Sequence, residues 1–262
     1  YSLPYPPPPG ASAAFQMDWA AQAGVQRPNH GLGNALRKAC LAPLLAVARQ
    51  RSEPGVPDGL DPADFAFGPE MLLVMQVALL FEVSGRQSDI GFNDDPDTFL
   101  EYHAASCRAF QEHAAAAGLE PAAAQVCHEA LERMYMAPKT ERSRAAKWVL
   151  EASHDLDLFR CYEGGKMQPK IDRLAAMVGA DCSQRLAAAA EQAIVATGDR
   201  LMWSPTGAPA RDYDPALFPA CSQNTAQCLA AIDGALEEAR NFFGLADEPE
   251  AEDAGAGEAA AL

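Results

Sequence analysis

Strand signals are all but missing from this chain. No run of β-branched residues alternates with polar ones over a strand's length, and alanine, the residue with the strongest intrinsic helix preference, recurs in almost every segment. Prolines and glycines, 20 and 19 of them, cut this helical text into pieces rather than into hairpins. The combination predicts an all-α fold, a single multi-helix domain with no repeat of fixed period.

Helical spacing runs from Leu36 to Gln50, with Pro43 as a kink or a break. Further helices are expected over Pro69 to Val83, Pro96 to Ala117, Pro121 to Met136, Ala145 to Phe159, Lys170 to Met177, Cys182 to Met202 and Asn224 to Leu245. Arg51 to Pro69, Gly85 to Asp97 and Trp203 to Pro219 read as loops. Residues 1–14, led by YSLPYPPPPG, form a proline-rich arm, and 246–262 an acidic, Ala/Gly-rich disordered tail. The helical domain is 15–245, with a candidate lid at about 164–202.

The balance of residues allows a buried core: 49% are hydrophobic and 21% charged. Lys and Arg total 20 against 36 Asp and Glu, a formal net charge of −16. That argues against a nucleic-acid binder, whose phosphate contacts need clustered Lys and Arg, and against an anionic membrane surface. It favours a basic partner. The longest apolar run, Met71 to Phe81, is broken by Gln76 and falls well short of the roughly 20 residues of a membrane span. No signal-peptide pattern opens the chain, and its first residue is Tyr1, as expected of a segment of a longer protein. The seven cysteines form no CxxC and no zinc spacing; they read as reduced, with Cys221 and Cys228 as the one local disulfide candidate.

Three polar segments stand out. In Gln26 to Arg37, His30 and Asn34 share a helix face at i, i+4, flanked by Arg27 and Arg37. This places an imidazole that can act as nucleophile, acid or base among guanidinium groups suited to phosphate; the alternative is a helix-capping His30. In Leu80 to Phe92 an apolar helix ends at Gly85, followed by Arg86 and Asp89; the alternative is a capped loop with a surface ion pair. In Ala152 to Arg160, Asp157 lies three residues beyond His154 and could orient its ring; the alternative is a half-buried histidine paired with its neighbour. His103, His113 and His128 lack such company. GxSxG, P-loop and HExxH motifs are absent.

In this order the segments resemble the phosphodiesterase domain of the SidE family of bacterial effectors. Arg27-Pro28-Asn29-His30-Gly31-Leu32 with Leu36-Arg37 is similar to the family's R-x-N-H-G-x-x-H-x-x-R pattern, with Asn34 at its second histidine. Ser84-Gly85-Arg86 with Asp89 resembles its G-R-x-x-E turn. His154-Asp155-Leu156-Asp157-Leu158-Phe159-Arg160-Cys161 resembles its H-x-L-D-L-x-R-C segment.

The resemblance implies a metal-free, cofactor-free phosphodiesterase acting on ADP-ribosylated ubiquitin, by phosphoribosyl transfer to serine or by hydrolysis, including removal of phosphoribosyl-ubiquitin. It implies His30 as nucleophile, His154 as general acid and Asp89 as the accompanying acid. Arg27, Asn29, Asn34, Arg37, Arg86 and Arg160 would hold substrate. Rival readings are an HD-like nucleotide phosphohydrolase and a weakened module that binds an ADP-ribosylated or phosphoribosylated protein.

Overall fold

The computed structural model describes residues 32–53, 59–85, 96–134, 136–137, 139–160, 164–197 and 225–245. Among these there are eight α-helices and no strand. They are α1 (Leu32–Gln50), α2 (Pro69–Phe81), α3 (Pro96–Ala116), α4 (Pro121–Glu132), α5 (Glu141–Asp157), α6 (Gly164–Val178), α7 (Ala180–Ala196) and α8 (Thr225–Phe243). Short 3-10 turns at Pro62–Phe65 and Leu158–Arg160 complete the path. The all-α expectation holds.

α1 is the axis of the molecule. α2, α5, α7, α8 and the 62–65 turn all pack on it, and residues on every side of it are buried. A helix in that position has no solvent face to keep polar, which matches its run of Leu and Ala. It continues through Pro43 as one helix: packing on all sides outweighs the lost donor. At its far end, buried Arg49 donates to the Leu60 carbonyl at 2.8 Å and lies 4.9 Å from the Phe65 ring centroid, pinning the connection to α2. Phe65 in turn meets Trp148 of α5 edge to face.

α2 starts with Pro69 in its first turn and is apolar beyond Glu70 except at Gln76. α5 opens on a capping box in which Thr140 and Ser143 satisfy each other's amides. α6 begins six residues earlier than the spacing predicts, with Pro169 inside it. α6 and α7 are separated by Gly179 alone, whose φ of +85° only glycine adopts without strain. Both helices pack on α1, α5 or α8. The arm, the 203–219 loop and the acidic tail lie outside the described residues, as does Cys221. Cys40, Cys107, Cys127 and Cys182 are free thiols.

Candidate active site

α1, α2 and α5 converge to place charge inside the fold. On α1, Asn34, Lys38, Leu41 and Leu45 form one buried stripe at helical spacing, and Arg37 lies beside it. On α2 the buried stripe is Met71, Met75 and Ala78, and one more turn brings it to Glu82, the residue that closes the helix. On α5 the stripe Ala146, Leu150 and Ser153 ends in Asp157. Four of these core positions carry ionisable groups, so each must find a partner indoors.

They form two adjoining clusters. In the first, Asp157 is fully buried and takes Arg37 Nε on Oδ1 at 2.6 Å; its Oδ2 accepts from Asn34 Nδ2 and Arg160 Nη1. Arg160 also caps the end of α5 by donating to the Asp157 carbonyl at 2.8 Å. Arg37 reaches further, donating from Nη1 to the Thr197 hydroxyl at 2.7 Å, and so ties α1 to α5 and to the end of α7. Burial would raise the Asp157 carboxyl, but Arg37 and Arg160 outweigh it and hold it below the ordinary value.

In the second cluster, Glu82 lies between Lys38 and His154. Lys38 Nζ donates to Oε2, and His154 Nδ1 stands 2.8 Å from Oε1 as a close charge contact, off the line of an ideal hydrogen bond. Nδ1 is buried, yet the His154 side chain as a whole is 28% exposed. Desolvation pushes the Glu82 carboxyl up; Lys38 and then His154 prevail and keep it well below the carboxylate range.

A carboxylate at a helix C-terminus opposes the helix dipole. Glu82 is held there against that field by two basic groups. Behind it, Gly85 donates its amide to Ser106 Oγ at 2.9 Å, and its Cα passes so close to α3 that a β-carbon would fall 2.4 Å from the Tyr102 carbonyl.

This geometry revises the reading of the third polar segment. Asp157 does not orient His154; it faces the other way, into the arginine cluster, because i+3 on α5 places it on the core stripe. Glu82 supplies the carboxylate, an acid three residues before Gly85 that the motif comparison passed over. Its signal was available: extending the α2 stripe by one turn reaches it. Lys38 was likewise missed. Asn34, Arg37 and Arg160 are each about 1% exposed or less, and their described contacts are to Asp157 and Thr197. Arg27, Asn29, His30, Arg86 and Asp89 lie outside the described residues.

His103 and His113 have other partners: His103 Nε2 pairs with the Leu131 carbonyl at 3.0 Å, and the His113 ring lies 5.0 Å from that of Phe81, tilted by 36°. Among the described residues, no three His, Cys, Asp or Glu side chains are grouped to hold a metal ion. Another face of α5 meets α6 in a cavity of about 80 Å³ with an apolar floor, including Leu156, Phe159 and Met167, bridged by an ion pair between Asp155 and Lys170.

The model of the SidE phosphodiesterase (PDE) domain matches residues 11–202, most of the chain. The chain belongs to this family. Among solved structures, a SidE-family fold of this kind is similar to the C-terminal domain of lpg1496 from Legionella pneumophila. In complex with nucleotide, that domain matches at 25% identity and a TM-score of 0.63, over 88% of this chain and 91% of that one. The same domain in a second structure gives 26%, 0.61, 89% and 91%. The longer crystal structure of uncharacterized protein lpg1496 gives 24%, 0.63 and 89%, and the chain spans 63% of its length. No curated protein matches the chain.

Proposed function

We propose that this SidE-family domain cleaves the pyrophosphate of ADP-ribosylated ubiquitin through a covalent histidine intermediate. The observation that carries this reading is the His154–Glu82 contact: an imidazole with one nitrogen buried on a carboxylate and part of its ring exposed suits an acid and base at a cleft. The nucleotide in the complex of the related lpg1496 domain supports a substrate that carries a nucleotide.

In this mechanism a His30 ring nitrogen attacks the phosphorus borne by the ubiquitin-linked ribose. The P–O bond to the adenylate breaks as His154 delivers a proton to the departing oxygen, giving AMP and a phosphoribosyl-histidine. The deprotonated His154 then takes a proton from a serine hydroxyl or water, which attacks the same phosphorus and frees His30. Arg27, Asn29 and Arg86 hold the phosphates. Arg37, Asn34 and Arg160 support the site from below through Asp157. Glu82 is the carboxylate that serves His154, and Asp89 joins the site as the accompanying acid.

Mass spectrometry of ADP-ribosylated ubiquitin after incubation, run in EDTA, tests the reading. The expected product of hydrolysis is phosphoribosyl-ubiquitin, lighter than the substrate by AMP less the one water taken up. His30→Ala should abolish turnover and any adduct. His154→Ala and Glu82→Gln should slow it, His154→Ala by roughly 10²–10⁴. Full turnover in His30→Ala or His154→Ala, or a need for divalent ions, would overturn it.

A further inference from the structure

Glu82 has two oxygens and two different neighbours. Oε2 accepts from Lys38 Nζ and Oε1 faces His154 Nδ1. Lys38 is wholly buried and Glu82 nearly so, while His154 is part exposed. The row therefore runs outward from the interior: ammonium, carboxylate, imidazole.

A lysine with no exposed surface cannot touch substrate, and desolvating its charge is costly. A leucine or methionine on the same stripe of α1 would pack against α2 at less expense. The buried cation has a consequence that an apolar residue would lack. A carboxylate facing a histidine alone favours the imidazolium, and such a pair holds its proton. A cation on the far oxygen offsets the carboxylate's charge while leaving the near oxygen to orient the ring.

We propose that Lys38 is a positioning residue for His154: by taking Glu82 Oε2 it leaves Oε1 beside Nδ1 to orient the ring, without locking a proton on it. His154 can then give and regain a proton at Nε2, as the two steps above require, and the inference rests on that general-acid reading. The charged groups acting on Glu82 are Lys38 from α1 and His154 from α5. On the other side of Lys38, Asp157 of α5 is engaged by Arg37 of α1 and by Arg160.

The test follows imidazole signals by NMR across pH, with His154→Ala to assign the ring. In Lys38→Met the Glu82–His154 pair should keep its proton to higher pH than in the native protein, by about one unit or more. Lys38→Gln keeps a donor for Oε2 but no charge, burdens folding less, and should show the same upward movement. With ADP-ribosylated ubiquitin, either variant should lose roughly tenfold or more in kcat at neutral pH with KM little changed.

A merely structural lysine predicts lower Tm and an unmoved titration, and that result would overturn the proposal. The two failures are separable. Full turnover in His154→Ala sinks the general-acid reading, while the NMR titration still decides whether Lys38 governs the pair.

Discussion

Asp157 shows how much one carboxylate can organise. It receives a guanidinium nitrogen from each of two helical elements and an amide from a third position, all within the core. Asp157→Asn preserves the shape and removes the charge, so Arg37 and Arg160 lose the anion they share. Breaking a buried pair in this way typically costs about 3–5 kcal/mol. Urea unfolding should therefore show a loss of that order. A loss below about 1 kcal/mol would mean that the arginines draw their compensation elsewhere. His154 rests on Glu82 and not on Asp157, so the residual activity of folded Asp157→Asn should exceed that of Glu82→Gln.

At the scale of elements, the corner after α2 aims the site. Glu82 closes the helix, and three residues later Gly85 lies against the α3 backbone, where a β-carbon would come within 2.5 Å of the Ser106 amide nitrogen. Backbone cannot give way as a side chain can. Gly85→Ala must push α2 and α3 apart, at a cost of roughly 1–3 kcal/mol, and it shifts Glu82 relative to His154. Turnover should fall by more than the loss of folded protein explains, whereas Ser84→Ala, which removes a hydroxyl whose described bond is to the Phe81 carbonyl in the same turn, should leave it near native. Equal turnover in the two variants would show that the corner does not aim Glu82.

The same corner shows what was legible in the sequence. The helices could be read because alanine fills them and proline or glycine ends them. α6 is the exception, since Gly164, Gly165 and Pro169 speak against helix locally and packing overrides them. Of the site, His154 could be read from its polar neighbours. Its carboxylate partner is remote in sequence, so spacing around His154 pointed to Asp157 instead. Lys38 is hidden differently: one turn beyond Asn34, it looks like a surface residue until the fold buries it.

For the whole molecule, buried ionisable groups set a pH window for stability. Glu82 and Asp157 have ordinary values of 4.5 and 3.8, and both are lowered on folding, chiefly by Lys38 and by Arg37 against the penalty of burial. Below those values the unfolded chain binds more protons than the folded one. Their contribution is thus complete above about pH 5 and lost as pH falls through the lower folded values. Glu151, raised by partial burial, acts in the opposite sense but is only one group and less enclosed.

At the alkaline end burial raises the Cys127 thiol from 9.0 to about 12 and Cys40 to about 11. Here the folded chain holds protons that the unfolded chain has shed, so stability is complete below about pH 8 and lost as pH rises toward those values. Urea midpoints should form a plateau between about pH 5 and 8 and fall on both sides. Cys127→Val, which keeps the volume near that of a buried thiol and removes the proton, should flatten part of the alkaline fall and leave the acid fall unchanged. An alkaline slope identical in that variant would assign the loss to groups other than Cys127.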